Sequence, residues 1–191
     1  MALKDIQKPR RIIKFYHGSK NTNLTSFDIQ YSRKSFLDFG VGIYFTTSMQ
    51  QAIEWSVRHS NTGAVYEIEL DASQLHLKQY LTYSNKFIDT FCLCRAGYES
   101  LAIDIHGYEA VYGFVIDNDK HNISYITAKY AIGDITYNSV RNSIKVFDNK
   151  DQLCIKSQQV LNKLTIKDKL IVNRIFNKQG KWVNTRWQRE K

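Results

Sequence analysis

The chain has 191 residues, enough for one domain with a real core and too short for two comfortable ones. Its 43% hydrophobic, 24% charged and 13% aromatic residues exclude a wholly disordered chain, and no apolar run approaches the roughly 20 residues of a transmembrane helix. A net charge of +9 favours polyanionic partners: nucleic acid, an anionic surface or an acidic protein.

The opening MALKDIQKPRR has no apolar stretch of the secretory kind, so a cytoplasmic location is expected. Between Lys4 and Lys20, six Lys or Arg face one acid, Asp5. Strand-like runs of β-branched and aromatic residues follow at 12–16, 43–46, 64–70, 123–127 and 152–156, with a continuous apolar run at 110–117. In 64–70, Ala64, Tyr66, Ile68 and Leu70 alternate with Glu67 and Glu69, the period of a half-buried strand.

Residues 49–59 read as a helix. Ser48 is its N-cap and Gln51 stands at the capping-box position. Met49, Ala52, Ile53, Ser56 and Val57 form one stripe, and Trp55 falls well off it. Residues 87–95 and 158–164 read as further helices. Cys92, Cys94 and Cys154 make neither a disulfide framework nor a four-ligand zinc set, and are read as small buried hydrophobes.

The mixture is α+β. We read residues 1–165 as one domain and 166–191 as a basic C-terminal extension. From Lys163 onward nine Lys or Arg face Asp168 and Glu190, with Trp182 and Trp187 among them.

Four local features stand out: Tyr16-His17-Gly18-Ser19 after a strand; Asp38-Phe39-Gly40-Val41-Gly42-Ile43-Tyr44-Phe45-Thr46-Thr47 before the capped helix; the stretch from Gly107 to Asp117; and Asp151-Gln152 opening a late strand. Singly, each has a structural reading. Gly40-x-Gly42 lacks the third glycine and the strand-to-helix context of a dinucleotide fingerprint.

In this order they resemble the ADP-ribosyltransferase superfamily, in its His–Tyr–Glu-type branch. There, H-G follows the first core strand, then come G-x-G-I-Y-F, an aromatic eleven residues after the tyrosine, and a carboxylate or substitute opening a late strand. His17-Gly18, Gly40 to Phe45, Trp55 and Gln152 fill those places. The closest resemblance is to small bacterial domains of unknown function that begin Y-H-G-S, continue D-F-G-x-G-x-Y-x-T-T and Q-A-x-x-W, and close on D-Q. It covers about residues 12–165.

The resemblance implies a split antiparallel β-sandwich core with flanking helices, and NAD as co-substrate with no metal. It implies that Gly18 lets the backbone reach the nicotinamide amide, with Ser19 completing that motif. His17 is expected to bond a ribose hydroxyl, while Tyr44 and Trp55 sandwich the nicotinamide ring. Arg33 is placed near the NAD phosphates. His17, Tyr44 and Gln152 are the expected catalytic set. Gln152 departs from the glutamate of the best-studied members and takes no proton, which argues against chain-forming polymerase activity and leaves transfer of a single ADP-ribose. Asp151 points to the opposite face of its strand and does not substitute.

The expected function is therefore mono-ADP-ribosyl transfer. By the resemblance and the charge, the enzyme is expected to be a toxin of toxin–antitoxin or anti-phage type, acting on RNA or DNA. An acidic antitoxin also accounts for the charge, and no membrane partner is expected. The alternatives are a protein acceptor, simple NAD hydrolysis, or a catalytically inactive module that binds ADP-ribose or nucleic acid.

Overall fold

Ile13 and Phe15 are buried on β1 (Ile12–Ser19), and the strand pairs antiparallel with β3 (Thr62–Asp71), so that His17 stands opposite Tyr66 and Gly18 opposite Val65. The computed structural model describes residues 12–71, 73, 75–117 and 122–190. The cationic segment 4–11 lies outside them. The described residues fall into two units, one drawn from 12–27, 44–75 and 159–190, the other from 28–43 and 76–158.

The first unit is built on an antiparallel sheet of order β1-β3-β7-β8, where β7 is Thr165–Phe176 and β8 is Trp182–Arg189. One face carries helix α1 (Met49–Ser56). Ala52, Ile53 and Val57 pack there on Val65, Leu170 and Val172, so the expected helical stripe is the core stripe. Val65, which pure alternation would expose, is buried because the helix covers that face. Ser48 caps α1 by accepting from Gln51 N–H at 3.2 Å, while its own N–H goes to Thr46 Oγ1 at 3.0 Å. The other face gathers Phe27, Phe45, His17 and Tyr66 as an aromatic cluster.

In the segment expected from sequence as a C-terminal extension, the described residues 166–190 hold β7 and β8. Leu170 and Val172 belong to the core of the sheet, so β7 is an interior strand of the first unit rather than an extension beyond it.

The second unit is built on the sheet β2-β6-β5-β4, with β2 Ile43–Phe45, β4 Leu77–Gln79, β5 Ala110–Asp117 and β6 Lys145–Ile155. The unit boundary falls within β2, after Ile43. β5 and β6 are antiparallel and β4 joins β5 in parallel, a departure from a purely antiparallel core. Between Phe114 and Val115 the register jumps from Asp151 to Phe147, so residues 148–150 bulge from β6.

Helices α2 (Asn85–Arg95), α3 (Ile123–Ala131) and α4 (Tyr137–Ser143) lie in the same unit, and α5 (Gln158–Leu161) begins at its end. The run 123–127, expected as a strand, is the start of α3. Ile123, Ile126 and Thr127 are buried at helical spacing, and Asn122 accepts from Tyr125 N–H at 3.1 Å as the N-cap. Capping and a one-sided apolar face outweigh the weak strand preference of β-branched residues. The architecture is α+β. No helix among the described residues is long and apolar enough to cross a membrane.

Candidate functional site

The isolated bridge between Tyr16 and Thr46 carries two backbone hydrogen bonds, 2.8 and 2.9 Å, and pins the end of β2 against β1. That brings Tyr44 beside His17. The imidazole Nδ1 lies 2.8 Å from the Tyr44 carbonyl oxygen. A carbonyl only accepts, so Nδ1 carries the hydrogen and, in the neutral ring, Nε2 keeps its lone pair. Phe27 and Phe45 flank the ring at 5.2 and 5.5 Å.

Burial lowers the His17 pKa below its usual 6.5, against a smaller opposing contribution from the bond to the Tyr44 carbonyl. The ring is therefore neutral near pH 7, an acceptor at Nε2. In the unfolded chain it titrates near about 6.5. Below that value the unfolded state takes up a proton that the folded state resists. Stability is thus full above about pH 6.5, falls as the pH drops, and levels off below the folded value. The melting temperature of the wild type is expected to fall more steeply between about pH 7 and 5 than that of His17→Asn. Parallel profiles would remove His17 as the cause.

Gly18 follows on the opposite face of β1. A Cβ built there would stand 2.1 Å from the Ala52 carbonyl oxygen and 3.0 Å from Ser56 N, both backbone atoms of α1. Gly63 on β3 meets the same helix, 2.2 Å from the Ser56 carbonyl oxygen. The two glycines let α1 sit directly on the sheet. This gives Gly18 a packing role alongside the one implied by its motif. Ser19, half-buried, accepts from Asn21 N–H at 3.1 Å and shapes the turn after β1.

The same helix carries Trp55 outward. Half of it is exposed, and the Arg58 guanidinium lies over its ring at 4.9 Å. An amphipathic helix turns its off-stripe residues away from the core, which leaves half of this indole open to solvent.

Gln152 and Arg33 belong to the second unit. Arg33 is exposed, on the loop after a turn of 3-10 helix at Ile29–Tyr31. Gln152 is buried. Its Nε2 donates to Asp38 Oδ2 and to the Phe114 carbonyl, both at 2.7 Å. Both partners only accept, so the amide orientation is unambiguous and both hydrogens are in use. Oε1 is left as the side chain's outlet, an acceptor. Asp38 Oδ1 in turn accepts from Arg95 at 2.7 Å, and Arg95 also donates to the Phe36 carbonyl at 2.9 Å. Asp151, in register with Phe114, accepts from Tyr112 at 3.3 Å on the strand face opposite to Gln152.

The glycine loop ahead of β2 is held by charge. Lys156 Nζ donates to the Phe39 and Val41 carbonyls at 2.9 and 3.1 Å and pairs with Glu99, whose Oε2 accepts from Val41 N–H at 2.7 Å. Gly40 has φ +77°, and a Cβ there would strike the Glu99 carboxyl at 2.1 Å. At Gly42 it would strike Cys154 Sγ at 2.4 Å. The loop's carbonyls and N–H are occupied by the protein itself, so both glycines have a structural cause.

Asp38, Arg95, Glu99 and Lys156 carried no assigned role in the sequence reading. Asp38 stands inside the motif 38–47 and Lys156 in the late strand 152–156, while Arg95 and Glu99 meet these segments only by tertiary contact. The three cysteines are buried, and burial pushes the Cys92 and Cys94 thiols up to about 12. Among the described residues no three His, Cys, Asp or Glu are grouped as metal ligands.

The first unit contains His17, Gly18, Ser19, Tyr44 and Trp55: His17 is bonded to Tyr44 on the sheet face away from α1, while Gly18 and Trp55 belong to the face and the helix on the other side. It offers a fixed neutral imidazole acceptor and an exposed indole, which suits hydrogen bonding to a hydroxyl and stacking on a flat ring. A family model described as "Protein of unknown function (DUF3990)" matches residues 13–166. No curated protein matches the sequence.

Proposed function

The chain belongs to that family of unknown function, and from this premise we propose that it is an NAD-dependent mono-ADP-ribosyltransferase with an ADP-ribosyltransferase-like core. The observation that carries the reading is the His17–Tyr44 hydrogen bond, which fixes the imidazole as a neutral Nδ1–H tautomer with Nε2 free to accept from a ribose hydroxyl. Tyr44 follows in the same unit, and Trp55 stands exposed on the helix seated on Gly18. These are the positions at which the sequence resembles the superfamily.

Bound NAD supplies an activated glycosidic bond. The bond from nicotinamide nitrogen to ribose C1′ breaks and nicotinamide leaves with the electron pair. A nucleophilic atom of the acceptor bonds to C1′ and gives up its proton. The residues of this chain bind and orient: His17 accepts from a hydroxyl, and Tyr44 and Trp55 hold the flat ring. Such alignment supplies several kcal/mol of barrier lowering. Gln152 takes no proton, and with both amide hydrogens in use it offers only a hydrogen-bond acceptor. Proton removal therefore falls to the acceptor or to solvent, which suits single transfer. The net charge of +9 favours a nucleic-acid acceptor. It suits equally a toxin neutralised by an acidic antitoxin.

The test is incubation with NAD labelled in its adenylate part, together with RNA, DNA and cell protein. Label is expected on nucleic acid, with His17→Ala and Tyr44→Ala each losing at least about 100-fold in rate, the scale of a lost oriented contact. Labelled protein would move the acceptor class, and nicotinamide release without label would leave an NAD hydrolase. A second reading is favoured by the proton-inert Gln152: a module that binds ADP-ribose or nucleic acid without turnover. Intact NAD after prolonged incubation would put it first.

A further inference from the structure

All three tryptophans of the chain are in the first unit, and all are half-exposed: Trp55 50%, Trp182 40% and Trp187 47%. Half of each indole is thus left open to solvent, where a flat partner can stack on it. They are connected through arginines. Arg58 lies over Trp55 at 4.9 Å, Arg174 donates to the Arg58 carbonyl at 2.8 Å, and the Arg174 guanidinium lies over Trp182 at 4.4 Å. Trp187 stands opposite Val172, which puts it on the sheet face that carries α1. The indoles and guanidinia therefore belong to one continuous run of surface, from α1 across β7 to β8.

That surface is held rigidly. Trp182 Nε1 donates to the Asn184 carbonyl at 2.7 Å. The hairpin turn is ordered by Asn177, whose Oδ1 accepts from Gln179 and Lys181 N–H at 3.0 and 2.9 Å, with Gly180 at φ +75°. β8 is an edge strand, and nearly all of its side chains are exposed. A recess of about 360 Å³ lies along it, lined by Asn173, Arg174, Ile175, Arg186, Trp187 and Gln188. That is the lower end of small-ligand pockets.

The charge is polarised along the hairpin. At its root the acids are paired: Asp168 with Arg189 at 3.1 Å, and Glu190 with Lys169. Residues 170–188 hold Arg174, Lys178, Lys181 and Arg186 and no carboxylate. Cations interleaved with exposed, pre-oriented aromatics match a strand that presents phosphates and unstacked bases together. A duplex hides its base faces and cannot use the indoles.

We propose that the face formed by Arg58, Arg174, Trp182 and Trp187, with the lysines of the hairpin turn, is a binding platform for single-stranded nucleic acid, beside Trp55, which the transferase reading gives to NAD. The bases stack on the Trp182 and Trp187 indoles and the phosphates meet the cations. Binding needs no NAD. In seating an acceptor strand the platform deepens the transferase reading, and to that extent it rests on it.

The experiment is fluorescence anisotropy of the full chain with labelled oligouridylate and oligothymidylate of about 12 nucleotides, a length within ordinary single-strand site sizes. Duplexes of equal length and poly-glutamate serve as competitors. Both single strands are expected to bind, with log K falling linearly as log salt rises. Trp182→Ala with Trp187→Ala is expected to weaken binding by about tenfold or more, and the paired phenylalanine variant to retain most of it. Lys178→Ala with Lys181→Ala is expected to weaken binding and flatten the salt dependence. Circular dichroism checks folding; if the alanine pair unfolds, the phenylalanine and lysine pairs carry the test.

Duplex binding as tightly as single strand, or undiminished binding by folded tryptophan variants, would overturn the proposal. Poly-glutamate displacing the strand at equal charge would also overturn it, pointing instead to an acidic protein partner. Lost strand binding with nicotinamide release intact sinks the platform alone. Strand binding with inert NAD sinks the transferase reading alone.

Discussion

Replacing Asp38 by alanine is expected to lower the melting temperature by roughly 6–12 °C. The carboxylate is 13% exposed and stands between two donors, Arg95 and Gln152, each at 2.7 Å. Removing it leaves a mostly buried guanidinium without its counter-charge and a buried amide N–H without its acceptor. Breaking a buried pair by deleting one partner costs about 3 kcal/mol or more, and for a chain of this length each 1 kcal/mol moves the midpoint by roughly 2–4 °C. Asp38→Asn keeps the shape but presents a donor to one of the two donors, so it is expected to recover only part of the loss. The double variant Asp38→Ala, Arg95→Ala is expected to lose less than the sum of the singles, because the orphaned charge is gone. A midpoint for Asp38→Ala within about 2 °C of wild type would show that the network carries no such weight.

Gly18→Ala is the second large effect. One methyl would have to occupy space 2.1 Å from the Ala52 carbonyl oxygen and 3.0 Å from Ser56 N, and neither atom belongs to a flexible side chain. Helix α1 must lift or the strand must bend. Overpacking costs about 1–3 kcal/mol, and more where the backbone is the obstacle. The midpoint is expected to fall by at least about 6 °C, near the upper end of that range. Gly63→Ala, which meets the Ser56 carbonyl oxygen at 2.2 Å, is the internal comparison and is expected to fall by a similar amount. If Gly18→Ala keeps full stability while losing NAD turnover, the glycine serves the ligand and not the helix. Loss of stability in both variants supports the packing role.

Much of the first unit was legible from local pattern. Ser48 caps α1 where a serine precedes a 3.6-residue apolar stripe, and the stripe is the buried one. The alternation from Ala64 to Leu70 is β3, with Glu67 and Glu69 turned from the core. Three expectations moved for identifiable reasons. The run at 123–127 is helical because its buried residues fall three and four apart behind an asparagine cap. β6 begins at Lys145 rather than Gln152, since its first half is polar and shows no apolar alternation. β7 was hidden by charge: Lys167, Lys169 and Arg174 surround Leu170 and Val172, and cationic density reads as an appendage until the partner strand β3 is known.

The caps, the alternations and the aromatic that stands off the core stripe are readable in the chain alone, because these depend on neighbours a few positions away. The sequence also places His17, Gly18, Tyr44, Trp55 and Gln152 in an order that suggests a pocket chemistry. That His17 is a neutral Nδ1–H tautomer follows from the fold, because its partner is a carbonyl 27 residues on. Only there does Gln152 lose the use of its amide hydrogens, to Asp38 and Phe114, 114 and 38 residues away. The glycines at 18 and 63 likewise take their meaning from a helix neither adjoins in β-pairing. Local structure follows from short-range sterics and periodicity. Protonation, side-chain orientation and close backbone approach depend on which distant groups the fold brings within about 3 Å, and no local pattern contains that information.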